Sequence, residues 1–592
     1  MIEPIASPRP PSTVADMATN QRTGTADVQL STEGWTLDSR RQRGAFFTPY
    51  SIAQYLAQWA VGDDPNASVL DPTCGEAAFL LAAAERLRTL GTNRSSMSAQ
   101  IFGVDLHEAS VQNAKQLLNA EDADATLLPG DFFEQPPPGA PGSRVPQVDA
   151  VLGNPPYVRF QAHSGDSRRR SAAAALAQGV RLPGTASSWA ATLVHAAAFL
   201  KPTGRLAMVV PAELLTVGYA EPIRQWLKSR FANVRLIFFE RLQFEDAIEK
   251  VILLIASGTG GCDSFSLGYV EDAEDLLGLH PLDLTARAPA GNGKWTDLLL
   301  TVGEMSAFRR ATASGAQALS EYGTIELGTV TGANGFFCLT EETRQRYGLQ
   351  PDRHVIKALP PGSRHLTAPS FTRVSWNALR DAGERVWMLR PQEGVTEDEI
   401  AEYLEVGIAE GVNFNYKCRV RATWWRPPAV RIPDLYFTYM SHRYPRLVEN
   451  QAKVAYVNSL HGLRLQEGTA PVVARFLPLL CLNSMTMVGA ELQGRSYGGG
   501  ILKMEPREAA TLPVPKPAVL QAAAEILHDK KSRLDRQLKA GEWLAVTKTV
   551  DKVILGDVLN LPESTRADLW QASRKLRSSR LGAADDDSTV RS

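Results

Sequence analysis

The sequence is poor in cysteine. Its five residues (Cys74, Cys262, Cys338, Cys418, Cys481) are scattered over 592 positions, and none forms a CxxC pair. That spacing excludes a disulfide framework and a zinc ribbon, and it fits a reducing compartment, so a cytoplasmic location is expected. Also missing is any apolar run of the roughly 18–20 residues that a bilayer span requires, so no membrane partner is expected. The first 40 residues are rich in Pro, Ser, Thr and Gln. They lack the basic start and apolar core of a secretory signal. Nor is there an excess of charge of one sign. Lys plus Arg total 63 against 64 for Asp plus Glu, a formal net charge of −1. That balance argues against a surface coated with positive charge, but it leaves room for basic residues gathered on one face.

What is present is a globular composition, with 44% hydrophobic and 21% charged residues, which excludes a disordered, collagen-like or coiled-coil chain. Short apolar runs recur at Ser68–Leu70, Ile101–Val104, Asp149–Leu152, Arg205–Val210, Val234–Phe239 and Val251–Ile255. Continuous runs of this length suit strands buried on both faces. Helical stretches lie between them at Ala77–Leu90, Glu108–Asn119 and Trp189–Leu200. The alternation predicts an α/β domain with an open, mostly parallel sheet and helices on both faces. Ligands of such sheets bind beyond the carboxyl ends of the strands. A Gly-rich break at Gly258–Gly261 ends this rhythm. The expected division is therefore a flexible tail over 1–40, an α/β domain over 41–258, a second region over 259–550, and a C-terminal helix and flexible tail over 551–592.

Four strand ends carry polar motifs. The first is Asp71-Pro72-Thr73-Cys74-Gly75-Glu76-Ala77, an acid followed by a Gly-containing turn into a helix. Such a turn lets backbone N–H groups approach a nucleotide-like ligand, although an ordinary strand–helix turn has the same look. The second, Gly103-Val104-Asp105, ends in an acid that can grip ribose hydroxyls or simply cap a helix. In the third, Gly130-Asp131-Phe132-Phe133, an acid can accept from an exocyclic amine beside an aromatic ring, or Phe132 can be core. The fourth, Asn154-Pro155-Pro156-Tyr157, is the most specific. A double Pro fixes the backbone and forbids continuation of the strand. The Asn154 amide and the Pro155 carbonyl then project rigidly beside an aromatic plane, as suits a planar ligand bearing an amino group.

Together these segments resemble the class I S-adenosylmethionine (SAM)-dependent methyltransferases. With the upstream Arg43-Gly44-Ala45-Phe46-Phe47-Thr48-Pro49 they resemble the γ class of DNA adenine-N6 methyltransferases, as found in type II restriction–modification. The resemblance implies a Rossmann-like, mostly parallel seven-stranded sheet with helices on both faces. It also implies a mixed α+β C-terminal target-recognition domain. It assigns Phe47, Thr48 and Pro49 to the methionine part of SAM. Asp71, Pro72, Cys74 and Gly75 fall to its amino-acid and ribose end, and Asp105 to its ribose. Asp131 and Phe132 fall to its adenine. Asn154 and Pro155 would accept from the target amine, with Pro156 fixing the turn. Tyr157 and Phe244 would stack on a flipped-out adenine. No metal is expected. There is one departure: the family pattern D-P-x-x-G-x-G ends here in Ala77, whose methyl group either crowds the cofactor or shifts the helix start.

Two basic segments bear on the partner, expected to be double-stranded DNA. Arg159–Gly184, with Arg168, Arg169 and Arg170, reads equally as a mobile loop closing on phosphates or a solvated basic loop. Tyr416–Arg426 interleaves bases with aromatics. Lys417, Arg419, Arg421 and Arg426 are its candidate DNA ligands, against the alternative of a solvated face with core Trp residues. Thr329–Phe337 and Ser496–Gly500 are Gly-rich turns able to approach DNA closely. The expected activity is methyl transfer from SAM to adenine N6 in duplex DNA, with a restriction endonuclease encoded nearby as a second partner. The competing readings are a glutamine-N5 protein methyltransferase or an RNA methyltransferase sharing the NPPY turn. Both are generally shorter and lack the upstream segment.

Overall fold

The computed structural model describes residues 48–158, 165–184, 186–239, 251–279, 283–289, 293–428, 431–497 and 500–581. Both expected tails, Phe47 and Phe244 lie outside the described residues.

Nine strands build the first sheet: β1 Val69–Asp71, β2 Ile101–Asp105, β3 Thr126–Pro129, β4 Val148–Gly153, β5 Leu200–Pro211, β6 Asn233–Phe239, β7 Val251–Ser257, β8 Phe265–Val270 and β9 Thr285–Arg287. Their order is β3-β2-β1-β4-β5-β7-β6-β8-β9. Strands β1 to β5 pair in parallel, and β7 runs antiparallel between β5 and β6. This is the α/β class the sequence predicts, with two more strands than the seven expected. The run at β7 is Val251-Ile252-Leu253-Leu254-Ile255-Ala256, buried throughout, as a strand flanked on both sides requires.

The three residues of the motif-bearing strand β1 lie inside the sheet, flanked by β2 and β4. Val69 pairs with Ile101 on one side and with Ala150 on the other. Helix α1 (Tyr50–Val61) starts directly at Pro49 and buries Ile52, Ala53, Leu56 and Ala57. Helix α2 (Ala78–Thr89) and helix α3 (Glu108–Ala120) follow β1 and β2, close to the expected spans. The stretch expected to be a loop holds helix α4 (Gly165–Ala177), which packs against helix α5 (Ser188–Ala196). Five Ala residues and one Leu within it give that helix its propensity.

The chain does not leave this unit at Gly258. That glycine turns it at φ +70°, and β8 then pairs in parallel with β6. Phe265, Leu267, Trp295 and Leu298 join the same buried cluster that starts at Ile52. Set against the expected boundary at residue 258, the first core runs on to Leu298.

Beyond it lie two further cores. One is aromatic, spanning Phe336 to Leu460 and including Trp376, Trp387, Trp425 and Tyr436. The other is largely helical, spanning Ala307 to Leu569. A five-stranded sheet links them, with Gly323–Leu327, His461–Leu465, Leu435–Phe437, Leu447–Asn450 and Ser370–Phe371 in spatial order. The helix Glu563–Leu581 packs on Val302–Gly315 and on Ser484–Gln493. Two helices, Lys531–Lys539 and Trp543–Asp551, are separated at Gly541 with φ +84°. No single helix among the described residues is long and apolar enough to cross a membrane.

Candidate active site

Asp71, Asp105, Asp131 and Asn154 follow or end β1, β2, β3 and β4, four neighbours in one sheet. The topology thus brings four sequence motifs to one edge, the carboxyl ends where such sheets bind ligands.

Asp71 is 1% exposed. Its Oδ1 accepts from the Thr73 N–H at 3.0 Å. Burial pushes its carboxyl group up to about 7, with the nearby Asp105 adding to the effect and the Thr73 N–H opposing it. Gly153 lies close by with φ +156°, and a Cβ there would come within 3.0 Å of Asp71 Oδ1. A side chain at 153 would therefore close the space beside this acid. Asp105 ties two turns together. Its Oδ2 accepts from the Gly75 N–H at 3.0 Å, and its Oδ1 from the His107 N–H at 2.9 Å. Cys74 is buried, and burial holds its thiol well above the ordinary range, which disfavours a thiolate nucleophile. Ala77 stands in the left-handed region at φ +65°, ψ 19°, immediately before α2. The helix begins at Ala78. The alanine itself takes the conformation that glycine would adopt without cost.

Asp131 is committed on both oxygens. Oδ1 accepts from the Phe133 N–H at 2.9 Å, and Oδ2 from Arg170 Nε at 3.0 Å. Arg170 Nη2 lies 2.9 Å from the same Oδ2, and Nη1 lies 3.3 Å from Glu134. The middle of the basic stretch therefore meets the acid assigned to the cofactor adenine. Phe132 is buried against His195 and Phe199, with ring centroids at 4.9 and 5.3 Å. Burial lowers the His195 pKa, and its Nε2 is 3.1 Å from the Gln135 carbonyl oxygen.

The Asn154 amide is held at both ends. Nδ2 donates to Thr48 Oγ1 at 3.2 Å, and Oδ1 accepts from the Tyr157 hydroxyl at 2.6 Å. That hydroxyl also lies 3.3 Å from the Val209 carbonyl oxygen on β5. The upstream segment and the NPPY turn, 106 residues apart, thus touch directly. Tyr157 is buried, and its polar tip positions the asparagine. Sequence reasoning missed Ser188. Its hydroxyl donates to the Pro156 carbonyl oxygen and accepts from the Val158 N–H at 3.0 Å, so it clamps the far side of the turn. The Ser187-Ser188 pair ahead of an apolar run was the available signal, since such residues favour helix starts.

In the second half, Lys417 and Arg419 are exposed on the short helix Tyr416–Arg419. Arg421 and Arg426 are half-buried and bonded within the fold. Arg421 Nη2 donates to the carbonyls of Val330 and Thr331 at 2.6 and 2.7 Å. Arg426 Nη2 donates to the Val395 carbonyl at 3.0 Å, and its guanidinium stacks on Trp425 at 4.9 Å. Both guanidiniums contact backbone carbonyls of the fold.

Fold and site define a class I methyltransferase. Residues 33–256 match the N-6 DNA methylase family, and residues 292–555 match the C-terminal domain of type II methyltransferase M.Eco57I. With the relatives that follow, these matches make the chain an N6 DNA methyltransferase of the restriction–modification kind. Type II methyltransferase M.AccI of Acinetobacter calcoaceticus is 20% identical, over 80% of this chain and 85% of the relative. M.XamI of Xanthomonas campestris pv. amaranthicola is 24% identical over the same shares. Among solved structures, the type IIL restriction–modification enzyme MmeI, determined in complex with DNA, covers 92% of this chain and 80% of its own. Its TM-score is 0.53 at 14% identity, a likeness of fold.

Proposed function

We propose that this methyltransferase takes its methyl group from SAM, flips an adenine out of duplex DNA and methylates its N6. The observation that carries this reading is the Asn154–Tyr157 turn, braced by Thr48, Tyr157 and Ser188, beside three acid-bearing strand ends.

The residues present fit the cofactor. Asp71 is a desolvated acid whose charge a cationic amine would stabilise, and Gly153 leaves room beside it. Thr73 Oγ1, in the same turn, is a buried polar atom without a hydrogen-bond partner among the described residues. Asp71 and the Pro72–Gly75 turn would hold the amino-acid end, with Thr48 and Pro49 alongside. Asp105 would take the ribose and Asp131 the adenine amine. Bound SAM supplies an activated methyl group on a sulfonium.

The protein's own task is to prepare the target amine. Its lone pair is delocalised into the adenine ring, so it is a poor nucleophile. Asn154 Oδ1 and the Pro155 carbonyl accept its two N–H bonds and draw the nitrogen toward tetrahedral geometry. Because the double proline and the hydrogen bonds on Asn154 fix these acceptors beforehand, little reorganisation is needed at the moment of transfer. Phe244 and Tyr157 are assigned to holding the extruded base. Unstacking costs a few kcal/mol, which base–aromatic contacts return.

The test is labelled SAM with unmethylated duplex DNA, followed by sequencing that detects N6-methyladenine. Label in adenine is expected, and label in protein alone refutes the reading. Asn154→Ala is expected to abolish transfer while SAM binding persists. Loss of both would mean that the asparagine holds the cofactor instead.

A further inference from the structure

Two segments that the sequence presents separately, Thr329–Phe337 and the basic stretch after Asn415, form one structural tip. Gly332 makes their contact possible. It sits at φ +86°, and a Cβ there would fall 2.9 Å from Lys417 Cβ and 3.2 Å from Cys418 Sγ. Asn415 Nδ2 donates to the Gly332 carbonyl at 3.4 Å, and Arg421 grips the carbonyls of Val330 and Thr331. The Arg421 guanidinium also lies over the Phe337 ring at 5.5 Å. The base of the tip is therefore rigid.

Its outer face is unusual. Phe414 is 74% exposed and Tyr416 is 65% exposed, while the aromatics beneath them, Phe336, Phe337 and Trp425, are buried. The fold has apolar core close at hand and does not use these two rings for it. Lys417 and Arg419, both exposed, follow on the same segment, and Lys417 Nζ lies over the Tyr416 ring at 5.6 Å. Residues 411–421 carry three bases (Lys417, Arg419, Arg421) and no acid, in a chain whose net charge is −1. Exposed rings set among cations match nucleic acid, which offers apolar base faces inside a lattice of phosphates.

We infer that this tip is a DNA-docking element in which Phe414 and Tyr416 press on or between bases while Lys417 and Arg419 take phosphates. Arg421, bonded to the Val330 and Thr331 carbonyls, braces the tip from below. The inference rests on the proposed DNA-directed activity and deepens it by naming the contact. Apolar side chains inserted at base steps unstack them, which lowers the cost of extruding a base nearby.

The full chain is tested with a fluorescent duplex cut from DNA that the wild type methylates. Phe414→Ala and Tyr416→Ala are each expected to weaken duplex binding about tenfold, the loss of one base–aromatic stack. Phe414→Trp should retain binding. SAM affinity and the thermal midpoint should stay at wild-type values, because neither ring is buried. Lys417→Ala and Arg419→Ala should each reduce the slope of log affinity against log salt by about 1. If both aromatic variants bind the duplex within twofold of wild type, the inference falls, and the rings serve a protein partner or none. If the wild type transfers no methyl to DNA, the proposed function fails first, a result separable from tight wild-type binding that the variants do not alter.

Discussion

Asp71 makes the cofactor site costly to the folded chain in the absence of ligand, and the cost has a defined pH dependence. Its carboxyl is raised from 3.8 to about 7, chiefly by burial. Below pH 4 the folded and unfolded states are both protonated there, so the group contributes nothing. Between pH 4 and 7 the unfolded chain releases the proton while the folded chain keeps it, so stability falls as pH rises. Above pH 7 the full cost is present, and the interval from 3.8 to about 7 corresponds to about 4 kcal/mol. Asp71→Asn keeps an acceptor for the Thr73 N–H and removes the charge. It is expected to stabilise the ligand-free protein by about 4 kcal/mol at pH 8 and by only about 1 kcal/mol at pH 4.5. Urea unfolding of both proteins at the two pH values measures the difference, in which other titrating groups cancel. The same substitution should weaken SAM binding at pH 8, because the acid would pair with a cationic amine. An equal stability difference at both pH values would refute the buried, charge-disfavoured Asp71.

Arg170→Ala should tighten SAM binding a few-fold at low salt, with the gain shrinking as salt rises. The guanidinium holds the Asp131 oxygen that the cofactor amine would need. An unchanged dissociation constant by calorimetry would show that cation and cofactor bind together. Tyr157→Phe should lower kcat about tenfold with the KM for SAM unchanged, because the amide of Asn154 loses its 2.6 Å donor; a kcat within twofold of wild type would refute that positioning role. Ala77→Gly should be nearly neutral. Relief of a left-handed alanine, about 1 kcal/mol, is offset by the greater freedom of glycine when unfolded. Ala77→Val should destabilise by about 2 kcal/mol, since a branched side chain resists that conformation; thermal unfolding of the two variants checks both statements.

The first half was legible because its signals are local. An acid or an Asn-Pro-Pro-Tyr turn directly after an apolar run places itself at a strand end, and parallel order then gathers such ends at one edge. What was illegible depends on neighbours far along the chain. Nothing near Thr48 announces that it meets Asn154, and nothing near Ser188 points to Pro156. Past Gly258 the weakening α/β rhythm was read as a boundary. Strand β8 pairs with β6, which lies before the break, so the continuation of the sheet to β9 depends on partners far along the chain.

The basic stretch shows why counting cations misleads. Lys417, Arg419, Arg421 and Arg426 look alike in sequence. Arg421 and Arg426, however, lie within hydrogen-bond reach of the Val330, Thr331 and Val395 carbonyls. A planar, multi-donor guanidinium that saturates carbonyls inside the fold has few donors left for a phosphate or a guanine edge. Lys417 and Arg419 instead point into solvent beside two exposed rings. Near-neutral net charge is then compatible with DNA binding. The acids Asp71, Asp105 and Asp131 are turned inward at one edge of the sheet, and part of the basic complement is consumed as scaffold.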